Sequence, residues 1–420
     1  MSFTYDPLTM PPPNPDEVAT IVTRELLDSD TDFQASGPSG VFTDWEQVWI
    51  QLRLFDAYGI FRFLAVERDP MPTLWNRLQF VPGDEVAIYL GGQLAIAGNI
   101  DVRQTAYDAN THGVMLQGHS HCYWASKSSV DKSGGGGTDM GNFDNMPFTA
   151  VVATLLPRYG VPYRFIGSID ATPFVKLQAE PGETVYNFLE RIARPRGVVM
   201  GSDENGAWTF IGEQGGTDTE SLIEGVNILR MQAIWRTITD YNPITALGQT
   251  AGSDNMNGTE ASEQRFDVNG RAKRFAPWIT VAEQPVWNLA ELANRARNEA
   301  RFVNTDVLIA NVTVQGWKRS DGTLWRPNQL VYVRSPMAML NDTLGIQAVT
   351  YTQDSASGSL TTLELVLPWR LGFPSFGQLA PGSTQQQQPP TNDPNANSNT
   401  AGPTPAPAPT PTPPPPQIPD

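Results

Sequence analysis

Gly316-Trp-Lys-Arg-Ser-Asp-Gly-Thr-Leu-Trp-Arg-Pro-Asn-Gln-Leu-Val-Tyr-Val333 is the stretch whose reading decides the fold. It holds two turn signals, Asp321-Gly322 and Pro327-Asn328, between alternating apolar runs. Leu308, Ala310, Val312 and Val314 alternate upstream, and Val331 and Val333 downstream. A period of two bounded by Asp-Gly predicts antiparallel strands joined by a tight hairpin. Trp317 and Trp325 flank its tip, where aromatic residues on facing strands can pin the register. The stretch is sheet architecture with no reactive pattern in it.

The same alternation recurs towards the N-terminus. Val48, Ile50, Leu52 and Leu54 follow Trp45, and Phe61, Phe63 and Ala65 follow the turn at Tyr58-Gly59. Pro82-Gly83-Asp84 makes a turn into Val86, Ile88 and Leu90, because Pro presets φ and Gly supplies a positive φ. Further strands run through Leu94 to Ile100 and through Val114 and Leu116. About six short strands with turns every 8–12 residues predict a small barrel or sandwich over residues 16–130. Met1–Pro15, with five prolines and no Lys or Arg, is an extended arm.

Residues 131–146 interrupt the pattern with four successive glycines. They lack the Gly-Lys-Ser/Thr opening of a helix that a phosphate cradle requires, and are expected to be a loop. An α+β unit over 145–215 follows. Phe148–Tyr159 reads as a helix stopped by Gly160. Gly182 and Glu183 lead into Thr184, which is placed to cap a second helix with Val185, Phe188, Leu189 and Ile192 on one face. Asn205-Gly206 marks a hairpin between Val198-Met200 and Trp208-Phe210.

Strand patterns return over 216–248 and 305–372, which together make a second barrel. A loop-helix insertion over 249–304 separates them. Its helix, 285–302, puts Val286, Leu289, Ala293, Ala296 and Ala300 on one face, with Glu291 four residues before Arg295. Residues 373–420 form a Pro-rich tail. From Pro381 onward there are 14 prolines, four consecutive glutamines and no Lys or Arg. Such a segment cannot bury enough apolar area to fold.

Composition narrows the function classes. The net charge is −16, and residues 1–120 carry 16 acidic against 6 basic residues. A sequence-reading DNA binder needs the opposite balance. An acidic surface serves solubility, or a wall to which DNA should not stick. No run of 18 apolar residues predicts a membrane span, and the N-terminus lacks a signal-peptide layout. The single cysteine, Cys122, excludes an intramolecular disulfide. His119-Ser-His121-Cys122 offers borderline ligands on one strand face, but no second His- or Cys-rich stretch completes a metal site. There is no Gly-x-Ser-x-Gly elbow and no His-Glu-x-x-His. Two carboxylates that meet only in the fold would suffice for glycoside hydrolysis, so a tail-associated glycan-degrading enzyme of all-β fold stays open as the alternative.

The order of motifs resembles the phage Mu-type baseplate hub proteins, relatives of the late-control protein D family and of the hub part of type VI secretion spikes. Trp45, Pro82-Gly83-Asp84, Gly98-x-Ile100 and Gly118-x-Ser120 carry it in the first barrel. Pro181-Gly182-Glu183, Arg194-Pro-Arg-Gly197 and Gly225-x-Asn227 carry it in the middle of the chain. Gly316-Trp317, Asp321-Gly322, Trp325 and Asn328 carry it in the stretch quoted first. The resemblance spans roughly residues 16–372. His119 stands where the family has arginine.

The resemblance implies a mainly β chain with two small antiparallel β-barrel tube domains, an α+β domain, an extended N-terminal arm and a Pro-rich C-terminal tail. It implies a non-enzymatic structural hub of a contractile tail, without catalytic residues, metal or cofactor. Three copies would form a homotrimer whose six barrels make a pseudo-sixfold ring. The expected partners are a tail tube protein ring above, a trimeric spike protein below and baseplate wedge proteins. DNA would meet the ring only in transit, past the acidic first barrel if that barrel lines the channel.

Overall fold

The computed structural model describes residues 18–23, 41–43, 45–67, 80–108, 112–132, 141–236, 241–248, 264–268, 275–281 and 289–373. The N-terminal arm, most of the polar 251–275 loop and the Pro-rich tail beyond 373 lie outside them.

The N-terminal part is β1 (Ala19–Thr23), β2 (Val41–Phe42), β3 (Gln47–Arg53), β4 (Ile60–Glu67), β5 (Glu85–Leu90), β6 (Gln93–Tyr107) and β7 (His112–Ser120). The middle part is α1 (Cys122–Lys127), α2 (Phe148–Leu155), β8 (Tyr163–Ile166), α3 (Val185–Ala193), β9 (Val199–Ser202) and β10 (Trp208–Ile211). The C-terminal part holds β11 (Asp218–Ile223), β12 (Arg230–Trp235), β13 (Ile244–Gly248), β14 (Gln264–Val268), β15 (Trp278–Val281), α4 (Leu289–Thr305), β16 (Leu308–Gln315), β17 (Leu330–Ser335), β18 (Leu340–Asp354) and β19 (Gly358–Val366).

The chain is mainly β with α+β parts, as the sequence predicts. Its two strand-rich parts are not separate sheets. Thirteen strands form one sheet, in which β3 of the first half pairs with residues 348–354 of β18 in the second. Within it the halves repeat strand for strand. The first runs β1-β5-β6-β7-β4-β3 and the second β11-β17-β18-β19-β16-β12. The match extends to length and irregularity: β6 and β18 are each 15 residues long and each carries a bulge, at Ile100/Val102 and Ile346/Ala348. One pairing differs in sense. β1 is antiparallel to β5, whereas β11 is parallel to β17.

Alternation explains the layering. Val48, Ile50 and Leu52 of β3 and Phe61 and Phe63 of β4 point inward and are buried, as are Val349 and Tyr351 of β18 and Leu363 and Leu365 of β19. All belong to a single apolar core shared by the two halves. The opposite face is polar where the halves meet, with Gln51 donating to Thr350 (3.1 Å) and Arg53 pairing with Glu364 (2.8 Å), and the polar row continues into the second half, where Thr313 meets Thr362 (3.2 Å).

Two expectations change. The stretch 316–333 does not join β16 and β17 as a hairpin. β16 pairs with β12 and β19, and β17 with β11 and β18. Asp321-Gly322 closes only a local turn bridged at Lys318 and Leu324. A turn signal sets the tip, while the strands that neighbour one another are chosen by matching apolar faces far apart in sequence. β13, placed within the second barrel by its alternation, instead pairs with β14 and β15 in a separate three-stranded sheet. Its Ile244 and Ala246 are buried, as are Ala293, Ala296 and Ala300 of α4, which lies against β13 and β14; small side chains allow the close approach.

The middle part is as read. Thr184 Oγ1 accepts from the Asn187 amide at 3.2 Å and caps α3, a contact worth about 1 kcal/mol. β9 and β10 form the hairpin, and β8 adds in parallel to β10. Trp208 is buried and donates its indole N–H to the Ala57 carbonyl (2.6 Å), tying this part to the first half. α1 is a short helix beyond the reading of the sequence.

Candidate functional site

The residues singled out in the sequence do not converge on one cleft. The structure places them in turns and at joints between the parts. Trp45 packs edge-on against Phe63 (4.9 Å between centroids) at the entry to β3. Pro82-Gly83-Asp84 precedes β5, with Asp84 Oδ2 accepting from the Val81 amide (2.7 Å) and the Gly83 amide donating to the Ile100 carbonyl (2.7 Å). Gly98 lies on β6 against the His119–Ser120 backbone of β7. A Cβ there would overlap the His119 backbone.

Glu183, beside Gly182, accepts from Arg191 Nε and Nη2 (2.8 and 2.9 Å) and from the Glu180 amide (2.9 Å). Partial burial works to raise its carboxyl pKa, but the Arg191 and Glu180 hydrogen bonds outweigh it and hold the group below the usual carboxylate range. A lowered pKa adds stability above the ordinary carboxylate value and loses it as the pH falls. Glu183→Gln should therefore lower the melting temperature at pH 7 but narrow its gap to the parent as the pH is brought below about 4; a gap that widens in acid would refute the assignment. Asn227 clasps its own turn beside Gly225, accepting from the Ile223 amide and donating to the Ser221 carbonyl, both at 2.8 Å.

Two joints hold most of the remaining residues. At the first, the 316–329 loop clamps the β5–β6 turn. Gln93 donates to the Gly322 carbonyl (2.6 Å) and accepts from the Leu324 amide (3.1 Å), while the Arg326 guanidinium caps the Leu94 and Ala95 carbonyls. Asp321 stiffens the loop by accepting from the Thr323 amide (2.9 Å). Trp317 and Trp325 are buried under it, and the Tyr351 hydroxyl donates to the Trp325 carbonyl. The flanking Asn328 exchanges hydrogen bonds with Gln214 (2.5 and 3.2 Å), at the exit of the middle part.

At the second joint, α4 docks on the turn Arg194-Pro-Arg-Gly197. Asn298 donates to the Pro195 carbonyl (2.6 Å), and Gly197, with φ of +67°, leaves no room for a side chain beside Asn298. The buried Arg301 sends its three nitrogens to the carbonyls of Trp369 (2.5 Å), Gly197 (3.0 Å) and Arg370 (3.1 Å). Burial lowers its pKa to about 10. Sequence reading missed Arg301 and Arg326, since an arginine on a helix or in a loop reads as a solvated charge; only the structure shows them spanning parts. Arg295 pairs with buried Glu299 (2.8 Å), while the side chain of Glu291, four residues before it in the helix, lies outside the described residues.

The other candidate chemistries are committed to structure. His119 Nδ1 meets Asp101, and its ring stacks on Tyr123 at 4.1 Å. His121 falls past the end of β7 and meets Asn99 (3.1 Å), so it does not share the strand face of His119. Cys122 is buried beside Ser120 (3.1 Å), and burial pushes its thiol up to about 12. Among the described residues no group of three or more His, Cys, Asp or Glu is arranged to hold a metal, and no helix is long and apolar enough to cross a membrane. A cleft of about 430 Å³ between α3, α4 and β15 includes Glu190, Glu299 and Asp306. Glu299 is held by Arg295 and by the Trp278 indole (3.1 Å), and Asp306 by Arg370 (3.5 Å) and Arg236 (3.9 Å). Glu299 and Asp306 are thus engaged by cations.

The fold matches the 43 kDa tail protein of prophage MuSo2 from Shewanella oneidensis, with a TM-score of 0.69, 22% identity, and 84% of this chain aligned to 100% of that one. It also matches the tail protein from Neisseria meningitidis MC58, with a TM-score of 0.67, 18% identity, and 85% aligned to 99%. The fold is that of phage tail proteins. Residues 290–372 match the fourth domain of the Mu phage baseplate assembly protein GpP, and residues 137–211 the second domain of the gp44-like baseplate hub proteins. The baseplate hub protein gp44 of Escherichia phage Mu is 24% identical over 363 residues, 84% of this chain and 91% of that protein. The chain thus has the fold of phage tail proteins and, over residues 137–211 and 290–372, is similar to domains of Mu-type baseplate hub and baseplate assembly proteins.

Proposed function

We propose that three copies of this chain form the hub ring of a contractile-tail baseplate. The ring joins a sixfold tail tube to a threefold spike and leaves a channel through which DNA passes. The observation that carries this reading is the strand-for-strand repeat within one chain. Two equivalent units per chain and three chains give six, which lets one face of the ring match sixfold symmetry while the other keeps threefold symmetry. Wedge proteins would dock outside the ring. The joints described above support the reading, since a symmetry adapter must hold its two units at a fixed angle, and the Gln93–Gly322, Arg326 and Arg301 contacts do this within the chain.

The test is molar mass by light scattering on the full chain and on a version ending at residue 380. A mass of three chains for both is expected. A monomer at every accessible concentration would overturn the ring.

A further inference from the structure

The cleft between α3, α4 and β15 is walled by five aromatic side chains, Phe55, Tyr186, Tyr241, Trp278 and Phe302. Phe55 meets Phe302 edge-on (5.9 Å between centroids), and Tyr241 lies against Trp278 (4.8 Å). Its polar groups are unevenly used. The acceptors are taken: Glu299 by Arg295 and the Trp278 indole, Asp306 by Arg370 and Arg236, and Glu190 too has an interaction within the chain. The donors are not. Arg370 Nε is buried without a hydrogen-bond partner. Arg194 is exposed, its guanidinium over the Phe302 ring (5.9 Å), and pairs with no carboxylate among the described residues.

Aromatic walls with spare donors suit a ligand that brings apolar rings and acceptors but no donors. Proline is that residue, with a carbonyl and no N–H. Proline-rich segments dock on aromatic-lined grooves as preformed polyproline II helices, at little cost in entropy. The arginine beside the rings adds a demand for a carboxylate next to the prolines. Residues 11–17, Pro-Pro-Pro-Asn-Pro-Asp-Glu, meet both demands, and the arm holds no Lys or Arg to oppose Arg194. We propose that Pro11–Pro15 of the N-terminal arm dock in this cleft of their own chain, with Asp16 and Glu17 on Arg194. The arm would then strap the first half to the joint between α3 and α4.

The reach agrees. β1 begins at Ala19, opposite Leu90, and the alternating antiparallel ladders put that end of β1 at the same end of the sheet as Arg53 of β3. Phe55 of the cleft lies two residues beyond Arg53. The ladder steps from β1 through β5, β6, β7 and β4 to β3 cover about 24 Å at about 4.8 Å each. Pro11 precedes Ala19 by eight residues, about 25 Å of polyproline II chain at about 3.1 Å per residue. Charge separates the arm from the other proline-rich stretch of the chain, since residues 403–416 carry none.

The probe is a fluorescein-labelled peptide of residues 6–17, read by anisotropy against the full chain. The parent, its cleft filled by its own arm, should bind the peptide about tenfold less tightly than a full chain carrying Pro11→Ser, Pro12→Ser, Pro13→Ser and Pro15→Ser. A peptide with the same four changes should bind neither. In the opened chain, Arg194→Glu should weaken binding about tenfold, and a peptide with Asp16→Lys and Glu17→Lys should recover it. Because Arg194 is exposed, that recovery separates a lost contact from a damaged fold. Equal binding by the parent and the serine variant, or binding indifferent to Arg194, would overturn the proposal. Tighter binding of a peptide of residues 403–416 would give the cleft to another segment and overturn it too. A block in the parent that fades on dilution would put the arm of a second copy in the cleft and overturn docking within the chain.

Discussion

Replacing Gly98 by alanine is expected to leave little or no soluble, folded protein. The position lies in β6 opposite Ser120, where a Cβ would overlap the carbonyl oxygen of His119 and approach the Ser120 Cα. These are backbone atoms of the adjacent strand, which cannot rotate away as a side chain would. Relief requires separating β6 from β7, and with it the ladder that closes over Ile96, Ile100 and Leu116 of the core. A destabilisation above about 4 kcal/mol is expected, in the range reserved for overpacking and backbone strain. Gly113→Ala, in the same pair of strands, is the control, since its nearest neighbour would be the Ala106 carbonyl at an ordinary 3.8 Å. Soluble yield and thermal unfolding of the two variants decide the matter, and equal behaviour would refute the close approach.

The second large effect is expected at Arg301. Truncation to alanine strands the carbonyls of Gly197 and Arg370 in a buried joint and leaves that of Trp369 only the long contact from the Gly372 amide (3.3 Å). Each unsatisfied group costs about 1–3 kcal/mol, so a loss of about 3 kcal/mol or more is expected. Its location is as informative as its size. Amide exchange should speed at 194–198 and 368–373, on either side of the guanidinium, while β3 to β7 stay protected. Arg301→Lys should recover little, because an ammonium cannot reach three divergent carbonyls as the planar fork does. Unchanged exchange at both segments would show that the joint is held by something else.

Much of this fold was legible in the residues, and the boundary has a physical meaning. The alternation at Val48–Leu52 and Leu308–Val314, the Thr184 cap and the Asn205-Gly206 hairpin are local, written in neighbouring residues and set by short-range sterics and hydrogen bonds. What could not be read was which strands become neighbours. β16 and β17 flank one Asp-Gly turn and yet do not pair, and β13 has a strand pattern but leaves for another sheet. Those choices depend on matching whole strand faces outside the local segment, as when Asp218 of β11 comes to lie beside Leu330 of β17. The family positions were found as turns, and the structure shows what they are for only when Gly322 meets Gln93 and Gly197 meets Asn298. Arg301 and Arg326 had no signal in a single sequence, because nothing local distinguishes an arginine that binds carbonyls across a joint from one in water.

The shared strand β18 also defines a path for force. Seven facing residue pairs connect β3 to it, and β19 holds its other edge from Gly345 to Asp354. Hydrogen bonds of an antiparallel ladder lie across the strands, so a pull along the strand direction loads the rungs together, whereas a pull at right angles opens them one after another. A thrust delivered to one half thus passes into the other through backbone, over many rungs at once, without relying on the loops that connect them. Twisting that peels the strands apart is the direction in which this part of the molecule yields first.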